Sequence, residues 1–257
     1  MAKYSPQTNY FEISQKLSDF YNGVYWAIFI SSIIATVFKL DAIIDYLGVG
    51  AMVLLAVLES ISQDFKLRAE KVRRKDFIDN SFGTKFVHDS SEEYYDNDEI
   101  DYGMKKMIAN LFENSYFSFN VSKEMFRRCL PMNLLFFIGI IVLSIFGFSR
   151  NQFAIPILQL FLSKYFLLNI LNTYRFRNEV ENIFEELKGL CSDLYKNSKL
   201  DSSEIRFIKI LIDYEVLIAE TNIRLDTKVF NRMNQKLTSE WDALKKKYLM
   251  EEKNERN

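Results

Sequence analysis

Few side chains in this sequence stand where they could do chemistry, and the most conspicuous of them is a lysine. Gln159, Ser163 and Lys164 lie inside the otherwise apolar run 153–172. Their separations of four and one place them in one broad sector of a helix. Tyr165, Phe166, Leu167 and Leu168 follow at once, so Lys164 is not the end of the run. An ammonium at such a depth in hydrocarbon costs a few kcal/mol, roughly 3 on insertion scales. The sector is therefore expected to face other helices or water, where it could line an ion path. A lysine that snorkels, or only bonds a neighbouring helix, is the bland alternative.

Two further concentrations of charge invite a reading. Lys66, Arg68, Lys71, Arg73, Arg74 and Lys75 make a basic patch that suits anionic lipid headgroups first, and a ligand or partner second. Asp89, Glu92, Glu93, Asp96, Asp98, Glu99 and Asp101 follow it. The acidic stretch lacks the liganding register and central glycine of an EF-hand, so it reads as a solvated loop that partly neutralises the basic helix.

Enzyme constellations are missing from the pattern. There is no phosphate-binding glycine loop, no HExxH and no nucleophile elbow, and the single histidine, His88, reads as a loop residue. Cys129 and Cys191 fall outside disulfide or metal spacing, which suits a reducing compartment. Glu113 and Asn114 in FENSYFS have no sequence-evident catalytic partner. The expectation is a protein without enzymatic activity or cofactor. A formal charge of −1 over 257 residues gives no global basic field for nucleic acid.

The elements that must position these residues are long helices. Glycine and proline are scarce, while Leu, Ile, Phe and Lys are plentiful. The stretch 130–148, LPMNLLFFIGIIVLSIFGF, carries no charge and reaches roughly 28 Å as a helix, the depth of a bilayer core. Pro131 is expected in its first turn, where a missing N–H costs least. A first span is predicted over 23–38, behind an aromatic belt of Tyr21, Tyr25 and Trp26. Gly23, Ala27, Ser31 and Ala35 give it one face of small side chains for helix packing. After a tight turn at 39–45, a second span covers 46–58; it is short for a bilayer and is expected to start earlier, near Ala42, and to leave the membrane as the basic helix 59–80. The fourth span is the run 153–172.

Lys and Arg fall overwhelmingly on one side of these spans, which puts both termini and the 59–129 segment in the cytoplasm. The predicted organisation is then 1–21, a cytoplasmic amphipathic helix; 22–58, hairpin one; 59–129, a cytoplasmic segment with the acidic loop; 130–172, hairpin two; and 173–257, a cytoplasmic helical region. In that last region Phe176, Val180, Ile183, Leu187, Leu190 and Leu194 form a heptad seam. Asp201 and Glu204 are expected to cap a helix carrying Ile205, Ile208, Leu211, Ile212 and Val216. Phe230, Met233, Leu237, Trp241, Leu244 and Tyr248 stripe the last helix. The fold class is an all-α integral membrane protein, two hairpins and a cytoplasmic bundle.

This layout, with KDFIDNSFGT, EEYYDNDEI and NLFENSYFS between the hairpins and KVFNRMNQKLTSEWDALKKKY near the end, resembles a known family. It looks like the SMODS-associated four-transmembrane (S-4TM) putative pore-forming effectors of bacterial nucleotide-signalling defence, relatives of the two-span SLATT effectors. The resemblance implies an inner-membrane effector that oligomerises and permeabilises the membrane once infection is sensed. With no recognised sensor domain in the sequence, it also implies that the activating signal acts through the cytoplasmic helices or through a separately encoded sensor or nucleotide-signalling partner. A membrane-anchored helical scaffold without transport is the second reading. A secondary transporter is third, since no helix is broken by Gly or Pro in the manner of such folds.

Overall fold

A computed structural model of the protein describes residues 5–38, 41–88, 91, 95, 97–146, 169–197 and 200–249. Among these residues the chain is all helical and has no strand. In chain order the helices are α1 (Thr8–Phe38), α2 (Asp41–Phe82), α3 (Met104–Phe146), α4 (Asn169–Asn197), α5 (Leu200–Thr221) and α6 (Thr227–Tyr248). Two compact units divide the chain: Met1–Tyr94 with Leu135–Ser163, and Tyr95–Leu134 with Lys164–Asn257.

In the first unit α1 and α2 pack side by side and antiparallel. Their tightest fastening is a reciprocal serine pair. Ser14 Oγ donates to the Ser62 carbonyl at 2.7 Å, and Ser62 Oγ donates to the Ser14 carbonyl at 3.0 Å. Both side chains are buried, and such small hydroxyls let two backbones come close while satisfying each other. No break separates the predicted amphipathic segment 1–21 from the first span, because α1 runs through Gly23 unbroken. Likewise α2 already begins at Asp41, so most of the expected turn at 39–45 is helix.

The end of α2 is set by two aspartates in KDFIDNSFGT. Gly83 takes a left-handed φ of 68° and donates its N–H to the Asp79 carbonyl, a helix-ending cap that costs glycine no Cβ clash. The Asp79 carboxylate then accepts from Thr84 Oγ1 at 2.6 Å and from the Phe86 and Val87 amides at 2.8 Å each. Asp76, also buried, accepts from the Ser91 amide. The motif thus folds the chain back over the end of its own helix.

The second unit is built around the first half of α3. Lys106 through Glu113 are buried without a break, so this stretch of the helix has no solvent face. Phe112 stacks on Phe184 of α4 at 5.3 Å and meets Trp241 of α6 edge-on at 5.3 Å. The predicted seam of α4 is buried from Phe176 through Val180, Ile183, Leu187 and Leu190. On α6, Leu237 and Trp241 are buried, and Asp226 caps the helix by accepting from the Lys228 and Val229 amides. The cap expected from Asp201 and Glu204 does not form in that register, since α5 has already begun at Leu200.

Beyond residue 130 the same helix α3 changes character. Leu130, Met132, Leu134, Leu135, Phe137, Ile138, Ile141, Val142 and Ile145 are all exposed, and no described side chain of this stretch is buried. By length and composition α3 is the one helix among the described residues that qualifies as a candidate to cross a membrane. Pro131 lies inside it, not in a first turn. The ring removes the N–H that would bond the Arg127 carbonyl, which weakens the helix where the charged turn Glu124–Arg127–Arg128 gives way to apolar residues.

Candidate functional site

Polar residues of EEYYDNDEI, NLFENSYFS and the last helix converge in the second unit as a joint. Asn97, fully buried, donates through Nδ2 to Asn110 Oδ1 at 2.9 Å and to Glu113 Oε2 at 2.7 Å. Tyr95 and Asn114 are in contact through the tyrosine hydroxyl. Two lysines pin the same segment. Lys106 Nζ lies 3.3 Å from Asp98 and over the Tyr102 ring, while Lys245 of α6 lies 2.6 Å from Glu99. Both lysines are buried to their heads, and a lone buried ammonium would be costly without these carboxylates. Burial alone would raise the Glu99 carboxyl, but the bond from Lys245 and the nearby Lys106 hold it below its ordinary range. A little along α3, Tyr116 donates to Glu240 of α6 at 2.6 Å, and burial together with that carboxylate pushes the phenol's pKa up.

This arrangement corrects two expectations. The acidic stretch is solvated where it is described, with Asp98, Glu99 and Asp101 exposed, but Asp98 and Glu99 pair with Lys106 and Lys245 and not with the basic helix. Glu113 and Asn114 do have partners, Asn97 and Tyr95. Among the described residues, no group of His, Cys, Asp or Glu is placed to hold a metal ion. Chemically the joint fastens three stretches of chain, the segment 95–103, α3 and α6, with charge-assisted bonds. Sequence reasoning missed Asn97, Asn110, Lys106 and Lys245 as a group. Only the density of Asn, Asp and Glu beside aromatic residues hinted at it.

A second feature of this unit is an open groove of about 790 Å³ between α4 and α5. Its rims are tied by Arg175–Glu220 and Lys209–Glu186 pairs. Lys209 also holds Asp213, and both carboxylates raise its pKa. The lining carries Arg175, Arg206 and Lys209 against Glu179, Glu185, Glu186, Asp213 and Glu220, so the groove is acidic on balance.

The predicted site residues are distributed as follows. Gln159, Ser163 and Lys164 lie outside the described residues. Gly23, Ala27 and Ser31 are exposed, and a Cβ on Gly23 would meet nothing within 4 Å, so the small face is not the α1–α2 contact. The side chain of Ala35 is outside the description. The basic patch does not act as one surface. Lys66 is buried, Arg68 pairs with Asp64 and Arg73 with Glu70, while Lys71, Arg74 and Lys75 are exposed. Cys129 and Cys191 are free thiols, and burial pushes Cys191 up to about 12. No protein-family model, curated protein or solved structure matches the chain.

Proposed function

We propose that the protein is a multi-pass membrane effector that assembles and permeabilises the inner membrane of a bacterial cell, in the manner of the four-transmembrane defence effectors it resembles. The observation that carries the membrane part of this reading is the second half of α3. Apolar on every described face and buried on none, it has no use for water. Exposed Trp26, Ile30, Ile34 and Phe38 on α1, and Val53, Leu54 and Val57 on α2, support two further spans. The apolar run 153–172 supplies the fourth. In this reading Gly23, Ala27 and Ser31 remain open for a helix from another copy, which supports assembly. Lys164 with Gln159 and Ser163 lines the conducting path, and the joint at 95–103 lies on the cytoplasmic side, where a separately encoded sensor would act.

The experiment is dye entry and membrane potential in cells expressing the wild type, Lys164→Leu and Lys164→Glu. Depolarisation by the wild type is expected, with Lys164→Leu changing conductance or weakening anion preference and Lys164→Glu carrying the preference further, toward cations. Cells that stay polarised with full membrane insertion would leave the alternative, an anchored scaffold recruiting a cytoplasmic partner.

A further inference from the structure

Helix α6 turns its apolar side inward and a row of cations outward. Val229, Leu237 and Trp241 are buried, and so is Lys245, which holds Glu99 at 2.6 Å. On the other side Lys228, Arg232, Lys236, Lys246 and Lys247 are exposed. At 3.6 residues per turn these five fall within about 100° of one another and run about 28 Å along the axis. The acids of the helix stand at the edges of the row. Glu240 accepts from Tyr116 at 2.6 Å and lies 3.7 Å from Lys236, while Asp242 leans toward Lys245 at 4.0 Å. The Asp226 carboxylate, at the cap, is taken by the Lys228 and Val229 amides. Elsewhere cations come matched, as in Arg68 with Asp64, Arg175 with Glu220 and Arg206 with Asp193. Among the described residues no ion pair holds Lys228, Arg232 or Lys246.

We propose that this face of α6 docks an acidic helical segment of another protein. The row offers charge and no exposed apolar side chain larger than Ala243, so it selects a partner by electrostatic complementarity. Lys228, Arg232 and Lys236 follow one another at four-residue steps, a rise of about 6 Å each. A helix with Glu or Asp at every fourth position presents carboxylates at that same rise. An anionic bilayer surface fits less well. Nothing large and apolar on this face would enter the interface, and the apolar side of α6 is used in the core. Tyr248 meets Phe112, which stands about 27 Å along α3 before Leu130. The far end of the row therefore lies well beyond a Debye length, about 8 Å, from the apolar half of α3. A polynucleotide also fits less well, because α6 exposes no aromatic ring for a base to stack on. The chain's formal charge of −1 gives no net attraction for a polyanion either. The docking rests on the cytoplasmic placement of α6 and not on conduction, so it serves an effector and an anchored scaffold alike.

The probe is a fluorescent alanine-based peptide with Glu at every fourth position, beside a counterpart with Lys in its place. The full chain is held in neutral phosphatidylcholine discs, and binding is read by anisotropy near physiological salt. The Glu peptide is expected to bind. Lys228→Glu with Arg232→Glu and Lys236→Glu should weaken it by about tenfold and bind the Lys peptide instead. Gln at the same three positions should weaken it without the reversal, which covers a Glu set that fails to fold. Lys71→Glu with Lys75→Glu, on α2, should leave it unchanged. Equal binding by the wild type and the Glu set, or an equal loss in the α2 pair, would overturn the proposal. So would a Glu peptide that does not bind at all. Tighter binding of oligothymidylate to the same row would make the partner a polynucleotide, and loss of the peptide in phosphatidylglycerol discs would give the row to headgroups. A gain on changing Glu251, Glu252 and Glu255 to Gln would show that the chain's own tail covers the row and leave no place for a partner. Depolarisation is measured apart from all of these, so failure of the pore reading and failure of the docking are told apart.

Discussion

The two halves of α3 are one uninterrupted helix with opposite surroundings, and their difference separates two solvents. From Lys106 to Phe119 the helix contains Lys, Asn, Glu and Ser, and nearly all of them are buried with a hydrogen-bonding partner. From Leu130 to Phe146 it contains almost nothing polar, and no described side chain is buried. Burial of apolar surface drives folding in water, so a helix folded in water should hide Phe137 before it hides Glu113. The reverse is found. The first half is surrounded by protein groups that match its polarity, and the second, long and apolar enough to cross a membrane, has no described side chain buried by protein. Pro131 stands between them, where a weakened helical bond lets the two halves answer to different surroundings.

The sharpest way to break this comparison is to delete the same aromatic from each half. Phe112→Ala removes a fully buried ring between Phe184 and Trp241 and should cost about 3–5 kcal/mol of stability. Phe137→Ala, on the exposed half, should stay within about 0.5 kcal/mol. Thermal unfolding in lipid vesicles reads both, and equal losses would make the halves alike.

A charge sharpens it next. Ile138→Arg should raise the cost of inserting the span by about 2.5–3.5 kcal/mol. A cysteine placed at Asn151 should then lose its labelling from outside the cell. Unchanged labelling would mean that this half never lay in hydrocarbon.

On the polar side the key residue is Asn97. Asn97→Leu removes two buried hydrogen bonds, to the Asn110 carbonyl and the Glu113 carboxylate, a loss of about 1–3 kcal/mol. Hydrogen exchange across 95–110 should rise while 130–146 stays as it was. Faster exchange in both segments would show that the halves unfold as one.

What the sequence made legible follows the same division. Wherever one apolar face opposes one polar face, as in Phe176, Val180, Ile183, Leu187 and Leu190, periodicity names the buried residues. The apolar stretch from 130 was legible from composition alone. On α5 both faces are apolar, so the period is present but its direction is not, and Phe207 and Ile210 take the core in place of Ile205 and Ile208. The joint at Asn97 was hidden for another reason. Buried hydrogen bonds have no spacing rule, and Asn97, Asn110 and Lys245 read as surface residues until the chain folds. Gly23 and Pro131 suggested helix limits by their local preferences, and α1 and α3 run through them.

The smallest effect concerns the two aspartates that turn the chain after α2, and here the sign can be worked out. Burial would raise the Asp79 carboxyl, but the Phe86 and Val87 amides and the Thr84 hydroxyl outweigh it and hold the group below its ordinary range. Its stabilisation is therefore complete above the unfolded carboxylate range and fades as pH falls through the depressed folded value. Asp76 works in the opposite direction. Burial raises its carboxyl, with Asp79 adding to the effect against the Ser91 amide. Ionised Asp76 thus opposes folding at neutral pH, and that opposition is relieved as pH falls through its raised value. The turn should first gain protection on acidification and lose it only at lower pH. Exchange of the Phe86 and Val87 amides, compared with the intrinsic rate at each pH, reads this order. In Asp79→Asn the late loss should disappear, because an amide keeps its oxygen acceptor and does not titrate there. A monotonic loss from pH 6 downward in the wild type would reverse the assigned roles of the two carboxylates.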